Sequence, residues 1–154
     1  MHSSDIMLSM SKKKNQQEKS GLVLIPGNHP NPPEPHEVDA ALVLSHHYQT
    51  TVEFQIPVDD YKRKSADIVM LGAEWEIKTP KGTSKSTIYK QFRRASKQAK
   101  NIIIDTRYTK LKYERIEKSV QIEIEKRQSI RKVILIDKTK KLLSFSSECV
   151  IVSV

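Results

Sequence analysis

SADIVMLGAEWEIKTPKG, residues 65–82, decides the fold. Two runs, ADIVML (66–71) and EWEIKTP (74–80), flank Gly72-Ala73 and read as a β-hairpin. Alternation along the second strand puts Glu76 and Lys78 on one side and Trp75 and Ile77 on the other, the core side. Asp67 stands near the start of the first strand, within reach of Glu76 or Lys78 across the hairpin. Two neighbouring carboxylates repel unless a cation holds them together. A hard divalent ion such as Mg²⁺ takes carboxylate and backbone carbonyl oxygens plus water, and it polarises a phosphoryl oxygen and acidifies a bound water. Lys78 then orients or deprotonates that water, or stabilises charge building on phosphorus. The same triplet is also what a solvated strand face shows, with Lys78 paired to Asp67 or Glu76.

Working outward, HEVDAALVLSHH (36–47) reads as a first helix with Val38, Ala41, Leu42 and Ser45 on one face. Glu37 and Asp39 fall in its first turn, where negative charge suits the helix dipole. TTVEFQIP (50–57) alternates as a strand, and VDDYKRKS (58–65) is a polar loop. Ser84 is placed to cap a helix running to about Lys100, with Ile88, Phe92, Ala95 and Ala99 as its apolar stripe. NIIIDTR (101–107) is a buried strand, and Tyr113 to about Gln128 a helix with Ile116, Val120 and Ile124 inward. RKVILIDK (131–138) and KLLSFSS (141–147) form a closing hairpin that CVIVSV extends.

The order αβββαβαββ predicts an α/β (α+β) fold with a mixed central sheet and flanking helices. Residues 1–20 are polar and aperiodic and read as a disordered tail. Residues 21–35 hold five of the seven prolines and read as an extended connector. Residues 36–154 then make one domain.

The charge is one-sided. Lys plus Arg exceed Asp plus Glu by 27 to 18, a net +9 that favours a polyanionic partner such as nucleic acid. No acidic residue occurs from Ile77 to Ile104, while Lys78, Lys81, Lys85, Lys90, Arg93, Arg94, Lys97 and Lys100 do. On a helical wheel Lys90, Arg93, Lys97 and Lys100 share the face opposite Ile88 and Phe92. That face lacks the ion pairs helices ordinarily carry and suits phosphates. Gln91, Gln98 and Arg94 lie on one flank of the same helix, where amides reach either a scissile phosphate or the sheet edge. Glu37 is a further carboxylate for the site, or simply a first-turn acid. The hydroxyls of Thr79, Thr83, Ser84, Ser86 and Thr87 gather at a helix N-terminus, which attracts anions. One cysteine, Cys149, excludes an internal disulfide and fits a reducing, cytoplasmic site of action. Neither a signal-peptide pattern nor a membrane-length apolar run is expected.

The order αβββαβ with D…E-x-K resembles the PD-(D/E)xK nuclease core. HEVDAALVL, VEF and the run from KSADIVML to NIIIDTR resemble more closely the C-terminal tRNase toxin domain of CdiA-type contact-dependent inhibition proteins. The resemblance covers about residues 36–138 and is most specific in AEWEIKTPKG and KQAKNIIID. Ala66 stands where the motif has proline. The resemblance implies an endoribonuclease acting on tRNA and neutralised by an immunity protein, for which a +9 chain suits an acidic partner. It implies Asp67, Glu76 and Lys78 as the catalytic set, Asp67 and Glu76 as metal ligands, and Gln98 and Glu37 as additions. Three alternatives remain at this stage: a DNA endonuclease of the same core, a non-catalytic nucleic-acid-binding module, and a metal-free tRNase of the barnase/colicin/RelE-like fold. The last would use Lys78, Thr79, Thr87 and Arg94.

Overall fold

A computed structural model describes residues 21–57 and 65–147. The 1–20 tail, most of the 58–65 loop, Cys149 and the strand extension CVIVSV lie outside the described residues. The elements are β1 (Val23–Leu24), α1 (Pro35–Tyr48), β2 (Val52–Phe54), β3 (Ile68–Met70), β4 (Ala73–Lys78), α2 (Thr87–Ala95), β5 (Asn101–Asp105), α3 (Tyr113–Lys126), β6 (Lys132–Ile136) and β7 (Leu142–Ser146). The strands form one mixed sheet in the order β1-β2-β3-β4-β5-β6-β7. β4, β5 and β6 run parallel, β3 and β7 antiparallel to their inner neighbours, and β1 parallel to β2. The expected mixed sheet with flanking helices is what forms. The addition is β1, which lies in the proline-rich stretch and pairs Val23 with Val52. Its apolar run is too short to stand out as a strand by alternation.

Period-two alternation sends side chains to two cores. Trp75, Ile77, Ile103, Ile134 and Ile136 pack against Ala40, Ala41 and Leu44 of α1. Ile102, Ile104, Val133 and Leu135 pack against Ile88 and Phe92 of α2 and Ile116 and Val120 of α3. Ile102, Ile103 and Ile104 are all fully buried, as a central parallel strand covered on both faces requires. Two helical expectations change. The inward face of α1 is Ala40, Ala41, Leu44 and Ser45, while Leu42 is exposed, because the helix meets the sheet through its small residues. α2 ends at Ala95, five residues short of Lys100. Beyond it the amides of Lys97 and Gln98 bond back three residues, to the Arg94 and Ala95 carbonyls, and the regular ladder gives way to turns. Lys97, Gln98 and Lys100 therefore leave the helical wheel that grouped them.

The β3–β4 turn is Leu71-Gly72, with Met70 opposite Ala73. Both turn residues have positive φ, 54° at Leu71 and 72° at Gly72, which is the backbone a two-residue hairpin with the sheet's twist demands. Leucine is strained there and its side chain is exposed. Leu71→Asn should stabilise the fold by about 1 kcal/mol. A urea midpoint that fails to rise would contradict this.

Candidate active site

The parallel strands β4, β5 and β6 end at one edge of the sheet, and antiparallel β3 begins there. Ligands of open α/β sheets bind outside such carboxyl ends. Asp67, just ahead of β3, comes level with the end of β4. Its Oδ2 accepts the Ile77 backbone N–H at 2.8 Å. Glu76 and Lys78 are opposite Ile102 and Ile104 in the ladder, so both project to the α2 side while Trp75 and Ile77 fill the α1 core. Lys78 Nζ lies 2.9 Å from Glu76 Oε1 and donates to Gln98 Oε1 at 3.1 Å. The turn after α2, not the helix itself, delivers Gln98 to the lysine.

The electrostatics are unusual for a strand surface. Glu76 is only 2% exposed, and its Oε2 is buried without a hydrogen-bond partner. Burial first and then the charge of Asp67 push its carboxyl up to about 7, against the opposing pull of Lys78. Asp67 is also raised by burial, although the Ile77 N–H resists the shift. An ionised Glu76 thus carries a bare oxygen beside a second carboxyl. A proton shared with Asp67 relieves that repulsion, and so does a bound cation. Asp67, Glu76, Lys78 and Gln98 are therefore brought together. Glu37 is close enough for its charge to raise Asp67 further, but its Oε2 accepts the Glu34 backbone N–H at 2.9 Å as part of the α1 cap. Among the described residues, no three His, Cys, Asp or Glu side chains are grouped to hold a metal ion. An ion here would rest on Asp67 and Glu76, with carbonyl oxygen and water completing its shell.

The basic residues surround this centre without closing on it. Lys81, Lys85, Lys90, Arg93, Arg94, Lys97 and Lys100 are all exposed, and none forms an ion pair among the described residues. Gln91 is half-buried on α2. Thr87 is buried, with its hydroxyl 3.3 Å from that of Ser84.

One cluster at this edge escaped the sequence reading. Asp105, the last residue of β5, is fully buried. Arg107 holds it with two bonds, Nε to Oδ1 at 2.9 Å and Nη2 to Oδ2 at 2.8 Å. The same guanidinium reaches Asp39 of α1 through Nη1, and this bond lowers the Asp39 carboxyl. Tyr108 meets His36 edge to face at 5.9 Å. The first turn of α1, which carries Glu37, is thereby clamped to the end of β5. The available signal was an aspartate directly after three consecutive isoleucines with arginine two residues on, a charge pair with no reason to be buried unless partnered.

No helix among the described residues is long and apolar enough to cross a membrane. No curated protein matches the chain. Its fold is similar to a chain of the CdiA-CT/CdiI toxin and immunity complex from Burkholderia pseudomallei, with a TM-score of 0.60 and 18% identity over 79% of this chain and 98% of that one. The contact-dependent growth inhibition CdiA C-terminal domain family matches residues 64–142, a span holding β3 to β6, Asp67, Glu76, Lys78 and the basic helix. With just over half of its 154 residues matched, the chain belongs to the CdiA C-terminal domain family.

Proposed function

We propose that this domain is a toxin nuclease that cleaves tRNA at the end of β4. The observation that carries the reading is Glu76: a buried carboxylate with one oxygen on Lys78 and the other bare beside Asp67. A structural ion pair gains nothing from a second buried acid, whereas a divalent cation needs both. Bound there, Mg²⁺ would supply Lewis-acid polarisation of the scissile phosphate and a more acidic water. The chain's own groups do the rest. Asp67 is oriented by the Ile77 N–H. Lys78, steadied by Gln98, presents an ammonium to the negative charge that develops on the phosphoryl oxygens. The unpaired cations of α2 and its flanking loops neutralise backbone phosphates at a distance from the cut. The net charge of +9 suits an acidic immunity protein as inhibitor, and the solved structure with a similar fold is a toxin and immunity complex. The metal-free alternative is less well served, because the Thr87 hydroxyl it needs is buried against Ser84.

The test is incubation of the purified protein with total tRNA in Mg²⁺ and in EDTA, beside duplex and single-stranded DNA and beside Lys78→Ala. Cleavage of tRNA that requires the metal and falls at least a hundredfold in Lys78→Ala is expected. Cleavage that survives EDTA overturns the metal site, preferential cutting of DNA overturns the substrate, and RNA binding without any product makes the protein a binder.

A further inference from the structure

A cavity of about 420 Å³ opens at the same edge of the sheet, beyond the groups assigned above. Thr106 continues β5 into it, Asp137 continues β6, and Lys112-Tyr113 begin α3 at its side. Lys110 and Lys138 complete its polar wall, and buried Leu111 and Ile116 form an apolar part. The lining thus holds three lysines and one carboxylate, and one oxygen of that carboxylate is engaged by its own turn. Asp137 Oδ1 accepts the Thr139 N–H at 2.8 Å, the Thr139 hydroxyl at 2.7 Å and the Lys141 N–H at 2.9 Å. Lys110, Lys112 and Lys138 form no ion pair among the described residues. Lys112 is the N-cap of α3, and its carbonyl takes the Arg115 and Ile116 amides, which leaves its ammonium free of the helix end. Half-buried Tyr113 adds an aromatic ring to the same lining.

A site for inorganic phosphate alone has no use for an aromatic ring and an apolar wall, and a site for an apolar ligand has no use for three lysines. A nucleotide uses both: phosphate on the ammoniums, base against the ring. The volume suits one nucleotide. β6 lies two strands from β4, on the order of 10 Å at the usual strand spacing, so a single strand crossing the sheet edge from Lys78 reaches the cavity within a few nucleotides. We infer that this cavity is a nucleotide subsite of the same domain, seating one unpaired nucleotide of the RNA near the cleaved bond, with Lys110, Lys112 and Lys138 on its phosphates and Tyr113 against its base. The inference rests on the nuclease reading for the word "cleaved", and on the cavity alone for the binding.

Two measurements separate the two. In a Glu76→Gln background, equilibrium binding of a labelled single-stranded oligoribonucleotide is titrated against salt, with and without Lys110→Ala/Lys112→Ala/Lys138→Ala. With active-site residues otherwise native, cleavage positions on tRNA are mapped for Tyr113→Phe and Tyr113→Leu. The lysine variant should bind at least tenfold more weakly, with a salt slope smaller by about 2. Tyr113→Leu, checked for an unchanged melting profile, should cut at least tenfold more slowly than Tyr113→Phe, which keeps the ring, and with loosened choice of position. Unchanged affinity and slope in the lysine variant overturn the subsite. Weakened binding with Tyr113→Leu indistinguishable from Tyr113→Phe overturns the nucleotide assignment and leaves a basic patch. If the parent protein cleaves no RNA, the nuclease reading fails and the binding titration still decides the subsite. Should Tyr113→Leu fail to fold, the exposed lysines, which carry no core packing, keep the titration decisive.

Discussion

Glu76→Gln should lose at least a thousandfold in tRNA cleavage while melting no lower than the parent at pH 8. The two halves come from one cause. The residue sits nearly dry beside Asp67, with its carboxyl raised to about 7 from an ordinary 4.5. A folded-state value above the unfolded one means that the native protein binds more protons between these limits. The contribution of Glu76 to stability is then greatest below about pH 4.5, falls as pH rises through the window up to about 7, and stays low beyond it. Glutamine is close to isosteric with the protonated acid, cannot ionise, and can still offer an oxygen to Lys78. It removes repulsion from Asp67 at pH 8 and changes little at pH 4.5. Thermal melts of both proteins across that range should diverge as pH rises, with glutamine the more stable. Added Mg²⁺ should raise the parent's melting temperature and leave the variant's nearly unmoved, since a ligand that binds only the native state stabilises it by mass action. A variant that retains full activity, or that melts well below the parent at pH 8, would show Glu76 to be a structural ion-pair partner of Lys78.

Arg107→Ala is expected to produce the largest loss of stability, on the order of 3–5 kcal/mol, because it strands a buried charge. Asp105 is fully buried and takes both of its side-chain bonds to a side chain from Arg107. Without the guanidinium it keeps only the Arg107 backbone N–H at 3.2 Å. Arg107→Lys should recover a minor part, since one ammonium cannot bridge two oxygens of Asp105 and Asp39 in the forked geometry. Asp105→Asn added to Arg107→Ala should recover more, by removing the charge that was left uncompensated. Urea unfolding of the four proteins checks the order. A loss under 1 kcal/mol for Arg107→Ala would mean that water enters and solvates Asp105.

The hairpin was legible because alternation in EWEIK assigns faces without ambiguity and Gly72 marks the turn. From there the positions of Asp67, Glu76 and Lys78 followed, and the structure brings them together. Gln98 was named for its spacing on a helix, yet it reaches Lys78 from the turn after Ala95, where its amide bonds back three residues instead of four. Period alone does not show where a helix stops when neither glycine nor proline follows. β1 was invisible because two residues carry no alternation and its partner lies 29 positions away in register, Val23 with Val52. The Arg107 clamp was invisible for a related reason: burial of a charge depends on a partner in another element, and Asp39 gives no local sign of it.

The strand order has a kinetic consequence. Among the described residues every strand lies beside its immediate predecessor in the chain, and the widest paired separation, as in Asn101 with Lys132, spans 31 residues. None of the described strands has to be threaded between two that are already paired. Loop closure therefore stays short at every step, the feature that speeds folding of sheet proteins. The sheet can grow from either edge as chain becomes available, so a polypeptide that arrives extended, one end first, never waits for its far end before its first strands pair.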